Sequence, residues 1–232
     1  MHNINQNISV MIAGASGLIG HSALVQLLSD NNVTSIHALV RRSLNMTDTK
    51  LVEHQNSTLS LTQWDDNTEP PELGLICLGT TLKDAGSKQA LSHIDYDLVC
   101  QVAHAMKLVG TKRLAVVSSV GAHPHSPSHY LRCKGKMEQA LRGLGFERLV
   151  IVRPGPLSGE RTKPRRGEII SEKLLSLARP LLIGPFTNFR PISGDDVATA
   201  MLYSLLQTDS DFGGTTQVLD SKKMWALLNK YR

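Results

Sequence analysis

Short apolar runs alternate along this chain with segments whose apolar residues recur at helical spacing, and glycine or proline punctuates them. Residues 8–13 form the first run. A glycine-bearing stretch, 14–20, follows it, and residues 24–28 then continue as a helix. A second strand is predicted at 36–40, and a third, short and alternating, around Leu59 and Leu61. Pro70 and Pro71 break the chain before a fourth strand at 73–78. Residues 95–108 have helical spacing, 114–117 read as a fifth strand, 137–144 lie on a helix, and 149–152 form a sixth strand ended by Pro154.

Strands and helices in alternation imply right-handed crossovers and an α/β fold, a doubly wound parallel Rossmann sheet. The pattern loosens after Pro154. Helices are expected at 169–178, 195–206 and 222–228, with a late strand at 217–219. The whole chain, 1–232, therefore reads as one domain, with a core over about 7–156 and a small C-terminal lid lobe over about 157–232.

Composition agrees with that fold. The chain is 41% hydrophobic but only 4% aromatic, so its core is aliphatic, as suits strands buried on both faces. A net charge of +5 is mild, and suits an anionic ligand as well as plain solubility. Cys77, Cys100 and Cys133 have no disulfide or zinc spacing. The N-terminal stretch lacks the basic start of a secretory signal, and no apolar run approaches the roughly 20 residues of a bilayer span. These features lead to an expected cytoplasmic location, with no membrane contact.

Gly14, Gly17 and Gly20 fall where a strand turns into a helix. The first allows a tight turn, the second a close backbone approach by a pyrophosphate, and the third close packing of the helix. The turn residues Gly14, Ala15, Ser16, Gly17, Leu18, Ile19 and Gly20 thus form a candidate dinucleotide cradle at the positive end of a helix dipole. Where an NAD site places an acid on the ribose, this chain has Arg41 and Arg42. Paired guanidiniums favour a 2′-phosphate, so the cofactor expected is NADP(H). Leu78, Gly79 and Thr80 follow the fourth strand and are placed along the same crevice.

Tyr130 and Lys134 are spaced to share one face of a helix. An ammonium beside a phenol favours its ionised form and makes it a usable general acid/base. Ser118 and Ser119 end the fifth strand, and either can donate to a substrate carbonyl.

The segments GASGLIG, CLGTT, VSSVGA, YLRCK and VRPGPLSGER occur in this order. On these motifs, over about 8–206, the chain resembles the short-chain dehydrogenase/reductases, in particular the atypical branch typified by the Tat-interacting-protein oxidoreductase. The resemblance implies Tyr130 as proton donor, Lys134 as its partner and Ser119 as carbonyl polariser, with Ser118 the alternative. It also implies Arg153, Pro154 and Gly155 along the nicotinamide side and Arg161 near cofactor or substrate. The interval from the serines to Tyr130 is short for that pattern.

Other signals point to bland roles. His123, His125 and His129 lie among prolines and read as a polar loop, so no metal is expected. The run Arg161, Lys163, Arg165 and Arg166 has no interleaved aromatics, so no nucleic-acid partner is expected. Cys77 and Cys133 read as small buried fillers, and Trp225 as a packing residue. The favoured reading is an NADP(H)-dependent oxidoreductase acting on a small-molecule carbonyl or alcohol. Behind it stand a non-catalytic NADPH-binding regulator with a protein partner and, weaker, a nucleotide-sugar epimerase or dehydratase.

Overall fold

The computed structural model describes residues 7–61, 63–65, 67–158, 191–207 and 214–231. Seven parallel strands form the main sheet: β1 (Ile8–Ala13), β2 (Val33–Val40), β3 (Leu51–Gln55), β4 (Leu73–Ile76), β5 (Arg113–Val117), β6 (Arg148–Arg153) and β9 (Thr216–Asp220). Their order is β3-β2-β1-β4-β5-β6-β9, so the connection reverses direction between β1 and β4. That switch point opens a crevice at the carboxyl ends of the strands.

Alternation sorts each strand between two cores. Val10 and Ile12 of β1 face a cluster built with helix α1 (Leu18–Ser29) and helix α6 (Gly194–Leu206). Met11 and Ala13 face the opposite cluster, with α4 (Val99–Leu108) and α5 (His129–Arg142). Helices on both faces leave no solvated side, which is why β1 is buried at every residue.

Between β4 and α4 lie two short helices, α2 (Leu82–Ala85) and α3 (Lys88–Ser92), and then a π-helical stretch, His93–Leu98. The helix expected at 95–108 therefore begins earlier and carries a π segment. The helix expected at 137–144 also begins earlier, at His129, where Ser128 accepts the amide of Leu131. That earlier start puts Tyr130 and Lys134 on α5.

The third strand lies elsewhere than expected. β3 pairs Leu51 with Ile36 and Gln55 with Val40, and its edge position requires no apolar run. Leu59 instead sits in a turn at φ 55°, where the Asn56 side chain accepts the amide of Thr58 at 2.9 Å, and it plugs the second core.

Much of the described C-terminal tail belongs to the main layers. β9 extends the sheet beside β6, α6 packs on α1, and α7 (Ser221–Tyr231) packs on α6, with Trp225 partly buried against the first core. Among the described residues, only β7 (Leu157–Ser158) and β8 (Ile192–Ser193) pair apart from the sheet. The helix expected at 169–178 lies outside the described residues. Among the described residues no helix is long and apolar enough to cross a membrane.

Beside the edge strand, His37 Nδ1 lies 3.0 Å from His54 Nε2, with the Trp64 ring 4.8 Å from that of His37. Burial, reinforced by the facing His54, lowers the His37 pKa to about 4. An unfolded histidine titrates near 6.5, so this group's contribution to stability is present above about pH 6.5 and is lost as pH falls towards about 4. We expect chemical unfolding to show a loss of about 2 kcal/mol between about pH 7 and about pH 5. His37→Phe should lose less over the same range.

Candidate functional site

The glycine turn sits at the switch point. Gly14 has φ +88°, and a Cβ there would lie 2.7 Å from the carbonyl of Cys77, at the end of β4. A Cβ on Gly20 would lie 2.1 Å from the Gly14 oxygen. The turn closes on itself and on β4 only because both positions lack side chains. Gly17 is exposed and is the N-cap of α1. It provides no capping side chain, and no acid follows in the first turn. By contrast, Thr81, Ser87, Ser128 and Ser193 cap α2, α3, α5 and α6. The first amides of α1 thus receive no side-chain acceptor and are suited to an anion. Ser16 is exposed with Gly17, whereas Ala15 and Ile19 are buried and offer the site only backbone. Leu18 is pressed from above by α6, where a Cβ on Gly194 would stand 2.6 Å from its Cγ.

Leu39 pairs with Ala13, so Arg41 and Arg42 leave β2 beside the glycine turn. Both are exposed, and neither has a hydrogen bond or ion pair with any described residue.

On the other side of the crevice, α5 presents Tyr130, Lys134 and Glu138 one turn apart. Tyr130 is half-buried, and the other two are 1% exposed. Lys134 Nζ lies 2.8 Å from Asp95 Oδ1 and donates to the Val117 oxygen at 3.1 Å and the Leu78 oxygen at 3.5 Å. The other Asp95 oxygen accepts the amide of Thr80 at 3.0 Å. Burial works against the ammonium, but Asp95, Tyr130 and Glu138 together outweigh it and hold the Lys134 pKa above the usual lysine value.

Glu138 receives the Ser118 hydroxyl at 2.6 Å and two bonds from Arg153, Nε at 2.8 Å and Nη2 at 2.5 Å. The two adjacent serines are therefore placed differently. Ser118 is buried and committed to Glu138, whereas Ser119 is partly exposed and among the described residues its hydroxyl makes only a 3.3 Å contact to the Val120 oxygen. Pro154 is buried at the end of β6, and the Gly155 amide donates to Ser221 Oγ at 2.9 Å. Gly79 is exposed, and Leu78 and Thr80 half-exposed, along the same edge. Arg161, Lys163, Arg165 and Arg166 lie outside the described residues.

Three residues escaped the sequence reading. Asp95 and Glu138 each interrupt an apolar helical stripe: Asp95 stands between Leu91 and Leu98, and Glu138 between Met137 and Leu141. A buried acid in such a stripe requires a partner, and that was the legible signal. Gly135 carried no signal. A Cβ there would lie 2.1 Å from the backbone of His123, so this glycine seats the 121–127 loop on α5.

His129 Nε2 lies 3.0 Å from the Lys88 carbonyl, and among the described residues no three of His, Cys, Asp or Glu converge as metal ligands. Burial pushes the Cys77 thiol up to about 12, which leaves it a packing group.

The family described as HIM1 matches residues 71–183. The protein FMP52, mitochondrial, of Saccharomyces cerevisiae is 31% identical over 220 residues, covering 90% of this chain and 94% of its own. Protein HTATIP2 of Rattus norvegicus is 32% identical over 171 residues, covering 72% of this chain and 70% of its own. Among solved structures, MoeE5 in complex with UDP-glucuronic acid and NAD superposes with a TM-score of 0.65 at 19% identity, over 91% of this chain and 76% of that one. This last likeness is one of fold. The mitochondrial designation of the FMP52 relatives overturns the cytoplasmic expectation, which rested only on missing targeting and membrane signals.

The glycine contacts make a direct prediction. Gly135→Ala should cost about 3 kcal/mol of unfolding free energy, because backbone must move to admit the methyl. Gly145→Ala, at φ +68° with nothing within 4 Å, should cost only about 1 kcal/mol of backbone strain. Denaturant titration of both variants checks the contrast.

Proposed function

This chain belongs to the family of the FMP52 and HTATIP2 proteins, and from that premise we propose that it is an NADP(H)-dependent oxidoreductase acting on a small-molecule carbonyl or alcohol. The observation that carries the reading is a convergence at one strand-end crevice. The uncapped glycine turn lies on one side, and the Tyr130–Lys134 face of α5 on the other.

The residues present fit a dinucleotide. Glycines keep the cradle open where any Cβ would meet backbone, and the amides of α1 are left for the pyrophosphate. Arg41 and Arg42, which have no partner among the described residues, suit a 2′-phosphate, which takes charge-assisted bidentate bonds that a neutral ribose hydroxyl does not. When bound, the cofactor supplies or accepts a hydride at nicotinamide C4.

Tyr130 gives its phenolic proton to the carbonyl oxygen in reduction and takes it back in oxidation. Lys134 stays charged beside it and favours the phenolate that remains. Ser119, whose hydroxyl has no strong partner among the described residues, polarises the carbonyl; Ser118 is already committed to Glu138. Glu138 in turn orients Arg153 at the end of β6, on the expected nicotinamide side.

Calorimetric titration tests the cofactor. We expect NADPH to bind more tightly than NADH, and Arg41→Ala/Arg42→Ala to lose about 10- to 100-fold of the NADPH affinity, the worth of one or two charge-assisted bonds, with NADH binding unchanged. A screen of carbonyl compounds with NADPH tests the reaction. Tyr130→Phe should lower turnover about 100-fold or more while binding NADPH as the wild type does. Full turnover in that variant would sink the assignment of Tyr130. Tight NADPH binding with no reduction anywhere in the screen would favour the regulator instead.

A further inference from the structure

We propose that Asp95 is a positioning residue of this site, holding Lys134 charged and in place so that Asp95 governs the proton affinity of Tyr130. The inference rests on the oxidoreductase reading and deepens it.

Three observations support the assignment. First, the pair is deeply buried: Asp95 is 0% exposed and Lys134 1%. A lone ammonium at that depth sheds its proton, and a facing carboxylate is what allows it to keep it. Second, Asp95 does more than pair. One oxygen lies 2.8 Å from Lys134 Nζ, and the other takes the Thr80 amide at 3.0 Å, so a single carboxylate ties the loop after β4 to α5. Third, the helix is irregular at this point. Asp95 lies within the π stretch His93–Leu98, where an i→i+5 ladder inserts a residue relative to an α-helix and re-aims the side chains around it.

The pair is also close to the crevice. A Cβ on Gly79, an exposed residue, would come 3.3 Å from Asp95 Oδ1 and 3.6 Å from Lys134 Nζ. Lys134 itself has little access to a ligand, because its ammonium is spent on Asp95 and on the carbonyls of β4 and β5 strand ends. Its influence on Tyr130 is therefore one of charge, and that charge depends on Asp95.

Other titratable groups around the pair are accounted for. Tyr130 and Glu138 face Lys134 from α5, and Glu138 is neutralised by Arg153 of β6. Cys77 faces it from the end of β4 and holds its proton to about 12. On the helix that carries Asp95, His93 and Asp97 form a solvent-exposed pair. Asp95 is thus the one carboxylate in direct contact with the ammonium among the described residues.

Asp95→Asn removes the charge and keeps an oxygen for the Thr80 amide. The measurement is the phenolate absorbance of Tyr130 against pH with NADP⁺ present, taken as each protein minus its Tyr130→Phe counterpart. We expect Asp95→Asn to move the Tyr130 midpoint upward by about one pH unit or more, a tenfold or greater gain in proton affinity. An unchanged or lowered midpoint would overturn the proposal, since a merely structural staple has no reason to move it upward. Should Asp95→Asn fail to fold, Asp95→Asn/Lys134→Met, which leaves no lone buried charge, is compared with Lys134→Met alone: with no ammonium to hold, loss of Asp95 should raise the midpoint no further, and a further rise would overturn the proposal. An upward shift without reduction of any carbonyl would uphold the coupling and overturn the oxidoreductase reading, so the two fail separately.

Discussion

A parallel sheet covered on both faces can expose its chemistry in few places. Here each strand of the main sheet runs the same way, and helices bury both sides of it. The carboxyl ends of the strands are therefore gathered along one edge, and reversal of the strand order between β1 and β4 parts the crossing helices there. Each part of the candidate site follows from that constraint. The glycine turn leaves β1, Arg41 and Arg42 leave β2, Gly79 and Thr80 follow β4, Ser118 and Ser119 end β5, and Pro154 ends β6. None of these residues is near the others in sequence except within its own loop.

Two buried acid–base networks stand side by side on α5 and fasten it to that edge. Lys134 joins Asp95 and the ends of β4 and β5. Glu138 joins Ser118 of the β5 end and Arg153 of β6. A buried charge is tolerated only with a partner and further hydrogen bonds, and each network meets both conditions. The cost of burying these groups is offset by a fixed position for α5, and hence for the half-buried Tyr130 one turn before Lys134 on the same face. Gly135, between the two networks, lets the 121–127 loop lie against the same helix. The helix that carries Tyr130 is therefore held from three directions.

Most of the fold was legible because its signals are local. Alternation and run length marked β1, β4, β5 and β6 to within a few residues, since a strand buried on both faces must be apolar throughout. β3 was missed for the opposite reason: an edge strand with polar His54 and Gln55 has no such requirement, while the apolar Leu59 beyond it serves as a plug in a turn. The glycine turn was legible because steric demands at Gly14 and Gly20 admit no other residue without displacing backbone.

By itself the sequence determined the class of sheet, the place of the glycine turn, the basic pair after β2 and the Tyr130–Lys134 spacing. All of these are written in neighbouring residues or in fixed helical and strand periods. Only the tertiary structure decided which of two adjacent serines is committed to a buried acid, and which carboxylates neutralise Lys134 and Arg153. Lys134 meets Asp95 across 39 positions of chain, and Ser118 meets Glu138 across 20. A charge in a low-dielectric interior takes whatever partner the packing brings within reach, and sequence spacing carries no record of that choice.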